Sequence, residues 1–471
     1  MQSQFKGSQV RLEPPVRRSP LGILEPDREK ARQLGVRYRS WKTIAPNWFA
    51  NAGINRPYSQ FILGEPIRVY NRAFELYGQG DVQGIIDLAA SETGKARDAV
   101  KSVFGRGCTV LFDTNGSSVI STISKGLRGE CIPAPFETLT FSNQGRLVYS
   151  ALGFEAKSVL HFSQNFDQPL CLFDHPPFNS KHPANENIIP PTVNVIDIFD
   201  RNRGYKTDSE LEGELLQTLS SNPAIRFVLL LHVSRTGRIF PVAEMAAAIR
   251  KARPEIAVMV DGCQAIGRMP YQSLKEAFDS CDGYIFVGHK ALGSMISGAA
   301  ALKPGMEGRL SGALRHDLLE HYRLFQFESE ELNRQVLSRL DGGFHRLVSL
   351  PELVSLRLAL GYSVANLGAG MQVAGECASM LRGFLSGFPG LSVLGGGKSH
   401  VPDIVTFISE PEGLVFRLKE FLQQGQKPVI IAPLTPRGAA RIAIDPKLEN
   451  LQGALEALKK KIGEFFMQHR G

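Results

Sequence analysis

Between residues 109 and about 304, short apolar runs alternate with segments of helical periodicity. The runs that predict strands are 109–112, 158–161, 192–198, 227–232, 257–260, 284–287 and 298–302. Strands separated by helices form mainly parallel sheets, because each helical crossover returns the chain to the same edge. The alternation therefore predicts an α/β fold with a mainly parallel seven-stranded sheet covered by helices on both faces.

After its first 45 residues, the chain is expected to form two domains. Residues 46–305 form a large domain, whose segment 46–105 is helical and contributes to a small domain or an interface. Residues 306–471 supply a long helix and a smaller C-terminal α+β domain with the short strands "LSVLGG", "DIVTFIS", "PVIIAP" and "ARIAID". The irregular segment 165–190 predicts an insertion over one edge of the large sheet.

Charge is concentrated at the beginning of the chain. Residues 1–45 contain ten Lys or Arg and four acidic residues, and therefore account for +6 of the net charge of +8. This arm could bind a polyanion, wrap a partner subunit or remain a solvated tail. Nucleic-acid binding is not expected, because neither RNA-binding aromatics nor a helix-turn-helix pattern accompanies the charge.

The remaining composition is that of a cytoplasmic protein. No apolar stretch is long enough to span a membrane, and no secretory signal follows the first charges. The six cysteines are scattered without a Cys-x-x-Cys pair, which indicates reduced thiols and predicts no metal site.

Two predicted strands end on ionisable residues. Asp261 and Gly262 follow the apolar run 257–260, and Gly288, His289 and Lys290 follow the run 284–287. Ligands bind outside the carboxyl ends of strands in open α/β sheets. A carboxylate and an amine at two such ends could hold the two sides of a flat heterocycle, although a helix N-cap aspartate and a surface lysine are the plainer alternatives.

The segments "VDGCQAIGR" and "DGYIFVGHKALG" resemble the class V aminotransferase and cysteine desulfurase family of pyridoxal 5'-phosphate enzymes. The resemblance continues upstream through "LLLHVSRTGRIFPVAEMAAAIRKARPEIAVMVDG" and covers roughly residues 45 to 465. It implies fold type I and a homodimer with the active site near the interface. It lies nearer to the isopenicillin-epimerase-like and aminotransferase members than to true desulfurases.

The resemblance also implies roles for the residues of the central motif. Lys290 would form a Schiff base with the cofactor and later move protons at the substrate α-carbon. Asp261 would pair with the pyridinium nitrogen, and Gln264 would reach the phenolic oxygen. Cys263 is expected to pack rather than to act as a nucleophile.

Phosphate contacts are implied for the turn after the strand 109–112 and for the second motif. Gly116, Ser117 and Ser118 resemble the family's phosphate cradle, and His289 adds a contact. The chain departs from the family at Val287, where a serine is common, so one hydroxyl contact is lost.

The stacking and substrate-binding positions are less sharply fixed. By alignment, Phe141 or its neighbour Asn143 would stack on the cofactor. Arg441 would bind a substrate carboxylate, with Arg437 as a rival. Arg235 could meet an anionic substrate group or the cofactor's oxygen, or serve as a structural turn residue.

These residues predict a pyridoxal-phosphate enzyme that abstracts the α-proton of an amino acid or amine-bearing metabolite. An aminotransferase is the first expectation, and a lyase or epimerase of specialised metabolism is the second. Desulfuration is not expected, because residues 426–438 lack the loop cysteine that desulfurases carry. A non-catalytic binding or regulatory protein of the same fold is the alternative from another class.

Overall fold

The computed structural model describes part of the chain in detail. The described residues are 60–113, 116, 119–120, 123, 137–141, 160–162, 169–171, 193–196, 198–200, 204–223, 225–295, 297–306, 310, 350–410, 413–424, 431–434, 439–445 and 451–469. The predicted basic arm and most of the 165–190 insertion lie outside them.

Helices and strands alternate through the first two thirds of this fold. The helices are α1 (Gln60–Gly78), α2 (Val82–Phe104), α3 (Asp208–Ser221), α4 (Val242–Ala252), α5 (Tyr271–Ser280), α6 (Leu350–Leu385), α7 (Leu414–Gln423) and α8 (Leu451–Gln468). The strands are β1 (Thr109–Asp113), β2 (Glu137–Phe141), β3 (Leu160–Phe162), β4 (Pro169–Cys171), β5 (Val193–Ile196), β6 (Phe199–Asp200), β7 (Gly204–Tyr205), β8 (Ile225–Leu231), β9 (Ala257–Asp261), β10 (Gly283–Val287), β11 (Gly298–Leu302), β12 (Leu391–Leu394), β13 (Ile404–Ser409), β14 (Ala432–Leu434) and β15 (Ala439–Ala443).

Seven strands form the central sheet in the order β1-β11-β10-β9-β8-β2-β5. The pairings from β10 to β5 are parallel, and β11 is antiparallel to both of its neighbours. All residues of β9 and β10 are buried, as expected for strands covered on both faces. The predicted fold class, with its mainly parallel seven-stranded sheet, is confirmed.

The membership of one strand was predicted wrongly. The segment 158–161 is expected in the central sheet, but within the described residues β3 pairs with β4 in a separate two-stranded sheet. The seventh strand is β2, with the sequence ETLTF, between β8 and β5. Its threonines interrupt the apolar run that marks a buried strand, although β-branched residues suit a sheet. An apolar run alone does not determine which strands it pairs with.

The helices cover the sheet through amphipathic faces. In α4 the buried residues Val242, Met245, Ala246 and Ile249 follow helical spacing. The helix α3 begins with a capping box, in which the Thr207 hydroxyl accepts from the Glu210 amide and the Glu210 carboxylate accepts from the Thr207 amide. These local signals fix where the crossovers begin, so the strand ends of β8, β9 and β10 lie on one edge.

A second sheet of four antiparallel strands follows in the order β12-β13-β15-β14. Its apolar core is shared with α7, α8 and the last turns of α6. Arg441 of β15 lies opposite Thr406 of β13 in this sheet. Within the described ranges, no helix has the length and apolarity required to cross a membrane.

Candidate active site

Asp261 is the last residue of β9 and its side chain is 3% exposed. One oxygen, Oδ1, accepts a hydrogen bond from the Cys263 amide at 2.8 Å. The next amide, that of Gly262, donates to the Ile285 carbonyl at 2.7 Å. Strand pairing therefore continues past Asp261 and fixes its carboxylate between the ends of β9 and β10.

Lys290 follows β10 through a turn in which Gly288 has no room for a side chain. A Cβ at Gly288 would lie 1.8 Å from the Ser294 Oγ. Lys290 itself is half-buried, and no described residue forms a hydrogen bond or ion pair with its amine. The described part of the fold therefore leaves this amine without a counter-ion.

His289 presents a second polar atom at this edge. Its Nδ1 is buried and has no hydrogen-bond partner among the described residues. Burial, and then the neighbouring Lys290 charge, lower the pKa of His289 to about 4. A backbone hydrogen bond with Ser297 opposes this shift. The imidazole is therefore neutral near pH 7 and carries a single N–H.

Cys263 connects the two motifs. Its thiol is buried, and the charges of both Asp261 and Lys290 act on it in opposite directions. Burial raises the pKa of the Cys263 thiol well above its ordinary value. A protonated, packed thiol agrees with the sequence expectation and places the carboxylate and the amine around the same point.

The turn after β1 reaches the same strand ends. A Cβ at Gly116 would lie 2.8 Å from the Cys263 Sγ and 2.8 Å from the Val287 Cγ1. Val287 thus packs against Gly116 with an apolar side chain. Ser117 and Ser118 lie outside the described residues, and Phe141 is the last residue of β2 without a described side chain.

Gln264 is buried beside Asp261 and belongs to a polar chain that sequence reasoning missed. Arg268 donates from Nη1 to the Gln264 Oε1 at 2.9 Å and from Nε to the Asp403 Oδ2 at 2.7 Å. Both side chains of this ion pair are almost wholly buried. The signal available in sequence was the spacing of Arg268 four residues after Gln264, since the partner Asp403 is remote.

Arg441 and Arg235 meet between the two sheets. Arg441 is 3% exposed, and its Nη1 donates to the Arg235 carbonyl at 2.8 Å. Burial, and then the charges of Arg235 and Arg268, lower the pKa of Arg441 well below its ordinary value. The negative charge of Asp403 acts in the opposite direction. The rival Arg437 lies outside the described residues.

A second pair missed from the sequence lies beneath Asp261. The His232 amide donates to the Asp261 carbonyl at 3.0 Å, and the His232 Nδ1 lies 2.7 Å from the Tyr284 Oη. Burial lowers the pKa of His232 to about 4 and raises that of Tyr284 well above its ordinary value. Both groups are therefore neutral near pH 7, and their hydrogen bond links β8 to β10 without adding charge.

These residues fit pyridoxal 5'-phosphate. Asp261 provides a buried carboxylate for a pyridinium nitrogen, and Lys290 provides an unpaired amine. The close approach at Gly116 suits a phosphate near the turn after β1. We therefore find a carboxylate, an amine and a candidate anion cradle at a single sheet edge.

Residues 204–318 match the family model for class V aminotransferases. No curated protein sequence matches the chain. Among solved structures, a NifS-like protein is similar with 16% identity and a TM-score of 0.62, over 88% of this chain and 99% of its own. A ureidoglycine-glyoxylate aminotransferase from Bacillus subtilis shows 11% identity and a TM-score of 0.56, over 89% and 93%. The cystine C-S lyase C-DES shows 15% identity and a TM-score of 0.59, over 88% and 97%.

The structural neighbours have fold type I, so the expected fold is confirmed. The match over 204–318 confirms the resemblance to class V aminotransferases, whose members depend on pyridoxal 5'-phosphate. Both an aminotransferase and a lyase are among these neighbours.

Proposed function

We propose that this chain, a fold type I protein whose residues 204–318 match the class V aminotransferases, is a pyridoxal-phosphate enzyme that abstracts the α-proton of an amino acid or amine-bearing metabolite. Transamination is the reaction we favour. The observation that carries the proposal is the unpaired amine of Lys290 at the end of β10, beside the buried carboxylate of Asp261 at the end of β9.

The chain's residues divide the work of proton transfer. Bound pyridoxal 5'-phosphate supplies an aldehyde that condenses with amines and a ring that withdraws electrons from the substrate α-carbon. Lys290 takes the proton from the α-carbon on its Nζ and returns it at a later step. Asp261 holds a proton at the pyridine nitrogen. The hydrogen bond from the Cys263 amide keeps the buried Asp261 carboxylate in position for this role.

Other residues bind and orient. The phosphate would be held by Gly116, Ser117, Ser118 and His289. Gln264 would contact the ring oxygen, and Phe141 would stack on one face of the ring. Arg441 would bind the substrate carboxylate between the two sheets. Arg268 fixes the side-chain amide of Gln264 through its 2.9 Å hydrogen bond and so acts as a positioning residue.

The first experiment tests the role of Lys290. We expect the purified holoprotein to show a visible absorbance band that borohydride removes, and mass spectrometry to find the reduced cofactor attached to Lys290. Lys290→Ala should lose both the band and at least about a thousandfold of activity. The control Lys303→Ala removes a lysine whose amine donates to the Asp279 carbonyl, and it should behave as wild type. A holoprotein without a reducible adduct at Lys290 would refute the proposal.

The second experiment separates the possible reactions. Incubation with a panel of amino acids should convert the bound cofactor to pyridoxamine phosphate and release a 2-oxo acid, as transamination requires. Ammonia release with pyruvate would instead establish a lyase, and racemised substrate would establish an epimerase of specialised metabolism. A Lys290→Ala protein that retained full biological activity would support a binding or regulatory role.

We also infer a homodimer. Ile67, Tyr70, Phe74 and Tyr77 are exposed at helical spacing on α1, and a second copy could cover this apolar stripe. Phe74→Glu should shift the sedimentation coefficient from dimer to monomer, whereas exposed Lys251→Glu should not. A monomeric wild-type protein would contradict this inference.

Cys108, Cys263, Cys281 and Cys377 are free thiols, which supports a reducing, cytoplasmic location.

A further inference from the structure

The buried space between the two sheets contains more positive than negative charge. The charges of Arg235 and Arg268 both act on the Arg441 guanidinium there and lower its pKa, and the carboxylate of Asp403 acts in the opposite direction. Arg235 is connected to the cofactor edge, because it lies three residues after His232, whose amide donates to the Asp261 carbonyl.

Arg268 has its own partners. Its Nε donates to the Asp403 Oδ2 at 2.7 Å, and its Nη1 donates to the Gln264 Oε1 at 2.9 Å. The single carboxylate of the cluster is therefore already paired with Arg268. Asp403 opposes the lowered pKa of Arg441 only as a weaker influence than the two neighbouring arginines.

Arg441 and Arg235 are left without a counter-ion in the part of the chain that the structure describes. Arg441 uses Nη1 on the Arg235 carbonyl, but its Nε is buried and has no hydrogen-bond partner there. No ion pair to the Arg235 guanidinium is formed by a described residue, and burial lowers the pKa of this group. Arg441 is buried and Arg235 is half-buried. Charges removed from water without a counter-ion are unfavourable, so such a pair is suited to an anionic ligand.

We propose that Arg235 and Arg441 together bind a dicarboxylic amino acid, with Arg441 on the α-carboxylate and Arg235 on the side-chain acid. This inference rests on the proposed function. Two guanidinium groups on separate chain segments, β15 and the turn after β8, can each fork onto a different carboxylate. In the proposed function, Gln264 contacts the ring oxygen of the cofactor, and the phosphate lies near Gly116.

Non-reactive acids test this recognition without chemistry. Glutarate carries two carboxylates and butyrate one, and neither has an amine. We expect isothermal titration of the holoprotein to show glutarate binding about tenfold to a hundredfold tighter than butyrate. Arg235→Gln should abolish this preference and leave butyrate binding unchanged, whereas Arg441→Gln should weaken both acids.

Matched variants control for folding and general charge. Arg235→Lys keeps the charge and should retain part of the glutarate preference. Lys251→Gln removes one exposed positive charge from α4 and should change neither affinity. In kinetic assays, Arg235→Gln should raise KM for L-glutamate or L-aspartate about tenfold or more and leave L-alanine unaffected.

Equal affinities for glutarate and butyrate in the wild-type holoprotein would overturn this inference. An Arg235→Gln variant with a shifted visible band and an intact glutarate preference would also overturn it, and would place Arg235 on the cofactor oxygen. A wild-type protein that never forms the borohydride-sensitive band would refute the proposed function itself. The spectrum and the titration therefore separate the two failures.

Discussion

The Arg268 Nε lies 2.7 Å from the Asp403 Oδ2, and this buried ion pair joins the turn after β9 to the beginning of β13. The pair spans 135 residues of sequence and connects the cofactor edge of the large sheet to the small sheet that holds Arg441. It thereby links the two sheets beside the space in which we place the substrate.

Breaking this pair on one side should destabilise the fold. We expect Asp403→Asn to lower the free energy of unfolding by about 3–5 kcal/mol, because it leaves Arg268 buried without its counter-ion. Urea denaturation monitored by circular dichroism measures the change. Asp279→Asn removes an exposed ion pair with Lys275 and should cost less than about 1 kcal/mol. An Asp403→Asn protein as stable as wild type would contradict the assignment.

Gly262 should not tolerate a side chain. A Cβ there would lie 2.0 Å from the Tyr284 Cε1, and that ring is held by burial and by its hydrogen bond to His232. We expect Gly262→Ala to cost about 3 kcal/mol or more, measured by thermal denaturation. Gly213→Ala provides the control, because this exposed position of α3 has open space and alanine favours a helix. Equal melting temperatures for Gly262→Ala and wild type would count against the packing described.

Gly116 should affect cofactor binding more than stability. Its Cβ would lie 2.8 Å from both the Cys263 Sγ and the Val287 Cγ1, so an alanine displaces the turn from the strand ends. We expect Gly116→Ala to weaken pyridoxal 5'-phosphate binding roughly tenfold, measured by fluorescence titration of the apoprotein. Adding Val287→Ala should restore part of the loss. Gly107→Ala, which has open space, should bind normally, and an unchanged affinity in Gly116→Ala would exclude a phosphate at this turn.

His232 should make stability depend on pH. Burial lowers its pKa from 6.5 to about 4, so the unfolded chain binds a proton that the folded chain does not. The stabilisation is complete above pH 6.5 and is lost as the pH falls from 6.5 towards 4. Each such histidine contributes a slope of about 1.4 kcal/mol per pH unit.

Urea denaturation at several pH values between about 5 and 6.5 would measure this slope, since most carboxylates remain ionised there. His232→Asn should reduce the slope by the contribution of one titrating proton, about 1.4 kcal/mol per pH unit. His289 and His400 shift in the same direction and should supply the remainder. An identical slope in wild type and His232→Asn would show that His232 binds its proton equally in the folded and the unfolded chain, and would contradict the lowered pKa.

Local sequence patterns were sufficient for the strand ends. The runs before Asp261 and Lys290 are apolar throughout, because both faces of a parallel strand are buried, and the glycines after them mark the turns. The same logic failed for β2, whose threonines interrupt the apolar pattern. It also could not distinguish the two arginines of "SRTGR". Arg238 pairs with Asp208 and stacks on Tyr205, whereas Arg235 lies beside Arg441.

The sequence by itself therefore determined the α/β class and the positions of Asp261, Gly288 and Lys290, because periodicity and turn chemistry act over a few neighbouring residues. Only the tertiary structure decided which charges are compensated. Arg268 finds Asp403 across 135 residues, and Arg441 reaches the Arg235 carbonyl across 206. Charge compensation depends on distance in space and on burial, and neither is encoded in the residues adjacent to each arginine.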